Sequence, residues 1–344
     1  MLLHPTRSGP PASRCRIIPD ASTILRPGGS EIKARICGGS TKRSTLLVEW
    51  RVRAAMDLVG YTLVRCLDVR PARAVYAALR KSTGQLATIK VLHVSSDETS
   101  SAEARFRREA QLHAALTHHN LTKALGYGTI AGLNYIALEW APGEDLKHAV
   151  EQRGAFKVSH ALHCVREAAA AISYLHDHGI VHRDIKPGNL VQSDDGAIKL
   201  LDLGLASLMS PPDTSLTIAS HDTLLGTPAF MAPEQALDSA RVDARADLYS
   251  LGCTLYFLLA GRPPFAGRSI TAQLDAHQRT QPVPLTEIRS DVTPELSNLC
   301  QNLMEKLPER RLGSAAELLQ RLRRCDQPTW PPLVAYLAGR SPVV

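Results

Sequence analysis

The stretch HRDIKPGNL (182–190) carries a carboxylate, an ammonium and an amide within six residues: Asp184, Lys186 and Asn189. It follows a long helical pattern that stops at Gly179, and the three side chains can meet only if their backbone is an irregular loop. Together they suit phosphoryl transfer, in which one group orients a hydroxyl, one neutralises phosphate and one binds a metal. Asp202, in KLLDLGLA, ends a short apolar strand just before Gly204 and offers a second metal contact. Hard oxygen ligands of this kind, completed by phosphate oxygens, favour magnesium over zinc.

Such groups need a folded frame, and 344 residues are enough for one large domain or two small ones. Hydrophobic residues at 44% and charged residues at 21% fit a soluble globular chain. The net charge of +7 is confined to one end. Residues 1–55 hold ten Lys/Arg against three Asp/Glu, leaving thirty of each sign in the remainder. A nucleic-acid-binding domain would spread its excess over a folded face, so no nucleic-acid partner is expected. The seven cysteines (15, 37, 66, 164, 253, 300 and 325) form no C-x-x-C pair and lie at no zinc spacing. They read as reduced thiols of a cytoplasmic chain. Leu248–Ala260, the longest apolar run, falls short of the roughly 18–20 residues of a membrane span and reads as a buried helix. Neither a signal peptide nor an internal repeat is visible.

Twenty of the first 45 residues are Ser, Thr, Gly or Pro, with no apolar period, so this part is expected to be disordered. GGSTKRST (38–45) misses the spacing of a phosphate loop. Three readings stay open for the segment 1–56: a flexible basic tail, an Arg-rich leader like an organelle transit peptide, and a misassigned start with Met56 as the true one. From Tyr61, YTLVRCL, RAVYAAL and QLATIKVL predict three short strands. A helix over 101–116 and two more strands, TKALGYG and NYIALEW, follow. Beyond Pro142-Gly143 the chain turns helical. Val158, Leu162, Val165, Ala169, Ile172 and Leu175 recur at helical spacing. Thr293-Pro294 marks one helix start and Ser314-x-x-Glu317 a capping box. A small β-rich lobe before a larger helical one places a ligand cleft between them.

With HRDIKPGNL, DLG, GTPAFMAPE and DLYSLGCTLYFLLAGRPPF in this order, the chain resembles protein kinases of the eukaryotic type, bacterial Ser/Thr kinases above all, over roughly Gly60 to Arg324. The resemblance implies an α+β, two-lobed kinase fold. Its N-lobe would span 57–141 and its C-lobe 142–326, with a short C-terminal tail at 327–344. It also implies ATP with magnesium, or manganese, and a protein substrate. Lys90 in ATIK is similar to the strand lysine that grips the α/β-phosphates, and Glu109 to its helix partner. Asp184 is implied as catalytic base, Lys186 as the γ-phosphate contact, and Asn189 and Asp202 as magnesium ligands. Val75 and Leu190 would form the roof and floor of the adenine slot, Leu138 its gatekeeper, and the backbone of Glu139 and Ala141 the contact to the purine edge. Thr227 matches the threonine that organises the catalytic Asp. Thr223 matches an activation-loop phosphosite, with Arg183 as its phosphate partner. Glu234 would pair with Arg311 as a brace, and Asp247 would tie the catalytic loop to the buried helix. His182 and Leu203, the latter where the family has Phe, are expected in the core.

One part of the resemblance fails. Where the family has G-x-G-x-x-G, residues 68–73 place Asp68, Arg70 and Arg73 at the glycine positions, with Pro71 inside the turn. Glycines there let backbone N–H groups approach phosphates, and proline removes a donor. Arg70 and Arg73 can contact phosphate through their side chains instead. Thr88 replaces a usual alanine and narrows the slot. Two readings compete: an active kinase with an arginine-bearing roof, and a pseudokinase acting as a binding or scaffold module. All six of Lys90, Glu109, Asp184, Lys186, Asn189 and Asp202 are present, which favours the enzyme. A small-molecule phosphotransferase comes third, because GTPAFMAPE resembles a peptide-docking segment.

Overall fold

The computed structural model describes residue 52 and residues 55–57, 59–70, 73–92, 99–208, 228–237 and 242–324. Its first part is a five-stranded antiparallel sheet. Strands β1 (Tyr61–Arg70), β2 (Arg73–Arg80) and β3 (Leu86–Leu92) come first, then helix α1 (Thr99–Ala115), then β4 (Ala124–Ile130) and β5 (Leu133–Glu139). The spatial order is β1-β2-β3-β5-β4.

Alternation along each strand sorts the side chains between two faces. Ala74, Tyr76 and Ala78 of β2 and Ala87, Ile89 and Val91 of β3 share one apolar cluster. Arg73, Val75 and Ala77, with Thr88 and Lys90, therefore take the opposite face, and Val75 pairs with Lys90 in register. On the α1 side, Phe106 and Ala110 pack with Leu92, Ile136 and Leu138 in a second cluster. The sheet thus fixes where Lys90 stands, and α1 covers that face.

The second part opens with β6 (Glu144–Asp145) and α2 (Leu146–Arg153), where Asp145 accepts from the His148 N–H at the helix start. The long α3 (Val158–Asp177) buries Leu162, Val165, Ala169, Ile172 and Leu175, as its period requires. Then come β7 (Ile180–Val181), a 3-10 turn at Pro187–Asn189, β8 (Leu190–Gln192), β9 (Ile198–Leu200) and β10 (Ser207–Leu208). These short strands make two small sheets, β6-β8-β9 and β7-β10, around the HRDIKPGNL loop. Leu121 bridges in parallel to Leu200 and connects this region to the segment that leads into β4.

Helices complete the described chain: α4 (Pro233–Leu237), α5 (Arg245–Ala260), α6 (Ile270–Arg279), α7 (Leu285–Ile288), α8 (Pro294–Leu303) and α9 (Ala315–Arg324). Every residue of α5 from Ala246 to Leu259 is buried, the mark of a helix at the centre of a globular unit. Among the described residues no helix is long and apolar enough to cross a membrane. A Cβ at Gly252 would stand 2.7 Å from Leu303 Cβ, so glycine is what lets α8 approach α5. Thr293 caps α8 by accepting from Leu296 N–H, with Pro294 at the first turn. The Ser314–Glu317 box closes differently from its sequence form. Ser314 accepts from Glu317 N–H, but the Glu317 carboxylate accepts from Gly313 N–H, one residue earlier than the cap itself.

Packing reaches back past the expected tail boundary at residue 56. Val52, Ala55 and Met56 are helical and at most 1% exposed, and belong to the same apolar cluster as the buried residues of β2 and β3. A start at Met56 would strip Val52 and Ala55 from that core. The bulk of the segment 1–56, the C-terminal tail and residues 209–227 lie outside the described residues. Met56→Ala in the full chain is expected to cost about 2–5 kcal/mol, as for other buried methionines. Urea unfolding measures it; a cost below about 0.5 kcal/mol, typical of a surface site, would place Met56 outside the core.

Candidate active site

Lys90 is 6% exposed, on the cleft face of β3. A buried ammonium is stable only when paired, and two carboxylates meet this one. Its Nζ lies 2.6 Å from Glu109 Oε1 on α1 and 3.0 Å from Asp202 Oδ1. Burial pulls the Lys90 ammonium down, but Asp202 and Glu109 outweigh it and raise its pKa above the ordinary value. Burial likewise pushes Asp202 up, yet Lys90 and Arg73 reverse that and hold its carboxyl far below the usual range. Asp202 Oδ1 also accepts from Gly204 N–H at 3.0 Å. A Cβ on Gly204 would come within 2.9 Å of that same oxygen and 3.2 Å of Glu109 Oε2, so only glycine leaves room for both acids.

The HRDIKPGNL loop is held from beneath by Asp247 on α5. This carboxylate is 0% exposed. Its Oδ2 accepts from His182 N–H (2.8 Å) and lies 2.9 Å from His176 Nε2, while Oδ1 accepts from Arg183 N–H (2.8 Å). Burial raises the Asp247 carboxyl, but the His176 contact and the neighbouring donors hold its pKa below the ordinary value. Two non-glycine residues here adopt positive φ, Arg183 at 65° and Asp202 at 59°, a conformation that surrounding contacts must enforce. Above this anchor, Lys186 Nζ meets Asp184 Oδ2 at 2.6 Å. Asn189 Nδ2 donates to the Asp184 carbonyl (2.8 Å) and to its Oδ2 (3.0 Å). Leu201 N–H donates to the Asn189 carbonyl, and His182 Nε2 reaches the Leu201 carbonyl, so the two acidic loops are tied together. His182 and Leu203 are both buried.

The remaining expected residues divide into those that meet and those that are not described. Arg311 holds Glu234 bidentately at 2.6 and 2.7 Å and spends its remaining donors on the carbonyls of Arg245, Glu305 and Lys306. Val75 stands opposite Lys90, and Leu138 on β5 stands opposite Thr88. Leu190 opens β8 and is fully buried. Ala141 is partly exposed just beyond β5. Glu139 N–H donates to the Lys123 carbonyl. Thr223 and Thr227 lie outside the described residues. Arg183 is half-buried, and its Nε has no partner among the described residues.

Some contacts carried no sequence signal. Gln235 on α4 donates to the Arg183 carbonyl at 2.9 Å, joining the APE segment to the loop. Lys199 on β9 pairs with the Glu139 carboxylate at 2.7 Å. Arg73 Nη1 reaches Asp202 Oδ2 at 3.4 Å. By contrast Arg70 is exposed and paired with Asp68.

The donors suit a nucleotide with a divalent metal ion. Among the described residues no cluster of three or more His, Cys, Asp or Glu could hold a metal alone. An ion at Asp202 and the Asn189 amide oxygen would need further oxygens from phosphate, which is how magnesium is commonly bound.

Sequence comparison agrees with the geometry. The family model described as protein kinase domain matches residues 72–322, starting between β1 and β2 in sequence. The serine/threonine-protein kinase PknB of Mycolicibacterium smegmatis is 37% identical over 243 residues, covering 70% of this chain and 38% of the relative. PknB of Mycobacterium tuberculosis is 35% identical over 253 residues, covering 72% and 40% respectively. A probable serine/threonine-protein kinase of Clostridium perfringens is 31% identical over 264 residues, covering 77% and 38%. The chain spans about four-tenths of the length of these curated relatives.

Asp247→Ala removes the acceptor of two buried backbone N–H groups and leaves His176 without its carboxylate. The expected cost is about 3–5 kcal/mol, typical of breaking a buried charged contact. Thermal and urea unfolding read it; a loss under about 1 kcal/mol would show that the loop is anchored elsewhere.

Proposed function

Because the chain belongs to the protein kinase domain family, resembling the bacterial serine/threonine branch, we propose that it transfers the γ-phosphate of ATP to Ser or Thr hydroxyls of proteins. The observation that carries this reading is the convergence of Lys90, Glu109 and Asp202 with the Asp184–Lys186–Asn189 loop, tied by Leu201 and His182. The roles follow from chemistry. Lys90, kept in place by Glu109, holds the α/β-phosphates, and Asn189 with Asp202 holds the metal. Magnesium held by those residues would supply positive charge against the phosphate oxygens. Asp184 orients the attacking hydroxyl and takes its proton as that oxygen bonds to the γ-phosphorus and the bond to the β–γ bridging oxygen breaks. Lys186 neutralises the γ-phosphoryl oxygens. Catalysis of this type is positioning plus charge stabilisation, and the side chains for both are here.

The adenine would lie between Val75 and Leu190, beside Leu138, with the backbone at Glu139 and Ala141 on its edge. A phosphate on Thr223 would find the half-buried Arg183 guanidinium, whose pKa burial lowers against the opposing pull of Asp247, with Arg108 adding to the lowering. Glu234 with Arg311 braces the far end of that segment, and Thr227 would face the substrate beside Asp184. A cytoplasmic setting is supported by the free, buried thiols of Cys164, Cys253 and Cys300. The scaffold alternative rests on the missing glycines alone.

The test is transfer of labelled γ-phosphate from Mg-ATP to the protein itself and to a generic basic protein. Asp184→Asn is expected to lower the rate by about 10²–10⁴-fold, the usual worth of a positioned base. Absence of transfer from folded protein at millimolar nucleotide, or transfer undiminished in Asp184→Asn, would overturn the kinase reading.

A further inference from the structure

We infer that Arg73 is the side chain through which this glycine-free roof grips the nucleotide's phosphate chain, an inference that rests on the kinase reading above. Its place on β2 argues first. Arg73 lies two residues before Val75, so strand alternation puts both on the face that carries Lys90. Its Nη1 stands 3.4 Å from Asp202 Oδ2, while Lys90 holds the other oxygen at 3.0 Å. One carboxylate is therefore bracketed by two cations of different reach. Lys90 has a second acid in Glu109; Asp202 is the only acid that pairs with Arg73 among the described residues.

Metal binding changes this balance. A dication at Asp202 competes directly with the Arg73 guanidinium for the same oxygens. The Arg73 side chain is 27% exposed where it pairs with Asp202, so a guanidinium leaving that carboxylate starts from the cleft wall and not from bulk water. The nearest anion of matching shape is then the phosphate chain that completes the metal's shell. A planar guanidinium with paired N–H donors suits phosphate oxygens.

The rest of the hairpin offers little else. Only residues 71 and 72 separate Arg70 from Arg73, and Pro71 has no N–H to donate. Arg70 is directed elsewhere in this structure: its side chain is 66% exposed and bound to Asp68 at 2.9 Å. Asp68 itself, 44% exposed in that pair, is neutralised away from the cleft. Of the two arginines at glycine positions, Arg73 alone serves the site.

The experiment is equilibrium calorimetric titration of the full chain with three probes: the Mg complex of the imido-bridged, non-hydrolysable ATP analogue, Mg-ADP, and adenosine. Wild type, Arg73→Ala, Arg73→Gln and Arg73→Lys are compared. Arg73→Ala and Arg73→Gln are expected to bind the Mg–triphosphate analogue about 10- to 100-fold more weakly, the range of a charge-assisted contact. Mg-ADP should lose less, adenosine should be unchanged within about twofold, and Arg73→Lys should recover part of the loss because the charge remains without the paired donors. Triphosphate binding that is equal or tighter in Arg73→Ala would overturn the inference, reducing Arg73 to a lock on Asp202. Parallel loss of adenosine in both Ala and Gln variants would also overturn it, assigning Arg73 a structural role. If wild type binds none of the probes, the kinase reading falls with it; if wild type binds all three and the variants match it, only the arginine grip fails.

Discussion

An ammonium group buried to 6% exposure must find carboxylates, and Lys90 finds two from opposite sides. Glu109 comes from α1 above the sheet, and Asp202 from the loop that follows β9. Neither acid is close to Lys90 in sequence, so the pairing is a statement about the whole fold. The sheet must place β3 correctly, α1 must cover it through Phe106 and Ala110, and the Asp202 backbone must turn through a positive φ. Desolvation makes each of these groups costly alone. Any displacement of α1 or of the Asp202 loop would therefore strand a charge in a dry site.

Asp247 imposes the matching constraint on the helical side. Its position in the buried stretch of α5 leaves Asp247 0% exposed, so it draws its hydrogen bonds from the backbone of His182 and Arg183 and from His176. That demand fixes a loop whose Arg183 conformation an isolated peptide would avoid. Asp184, Lys186 and Asn189 inherit their positions from it. A rigid carboxylate under the loop thus does what a regular helix or strand cannot: it converges three side chains spaced at 184, 186 and 189 on one point.

Much of this was legible in the residues. Period-two alternation in RAVYAAL and QLATIKVL marks strands because one face is apolar and the other serves a cleft, and the 3.6 period of 158–175 survives as the buried face of α3. The chemistry-bearing types in HRDIKPGNL and DLG pointed to phosphate and metal before any coordinates. Other features had no local signal. The parity of β1 is interrupted by register shifts between Leu63 and Arg65 and between Cys66 and Asp68, so nothing in the sequence says that Arg70 faces solvent. Val52, Ala55 and Met56 make only one helical turn of apolar residues behind a polar tail, too short a pattern to outweigh composition. Gln235 on the Arg183 carbonyl and Lys199 on Glu139 pair residues 52 and 60 positions apart, where spacing carries no information.

The roof of the cleft shows how one function can be moved between chemical groups. Backbone N–H groups in a glycine turn are fixed donors of partial charge, and they need no side-chain ordering when an anion arrives. A guanidinium brings a full charge and several donors but loses rotamer freedom on binding, which offsets part of its gain. Parking Arg73 on Asp202 reduces that loss, since the side chain is already ordered within the cleft wall before any ligand enters. The same contact opposes the metal, because an ion must replace the guanidinium at Asp202. If Arg73 grips the phosphate chain as proposed, nucleotide and metal would favour each other, since the guanidinium leaves Asp202 for the phosphates. In a glycine roof the two ligands couple only through their own contact. Under the proposed grip the protein adds a cation that changes partners, so the cleft's affinity for the phosphate chain would depend on whether Asp202 holds metal.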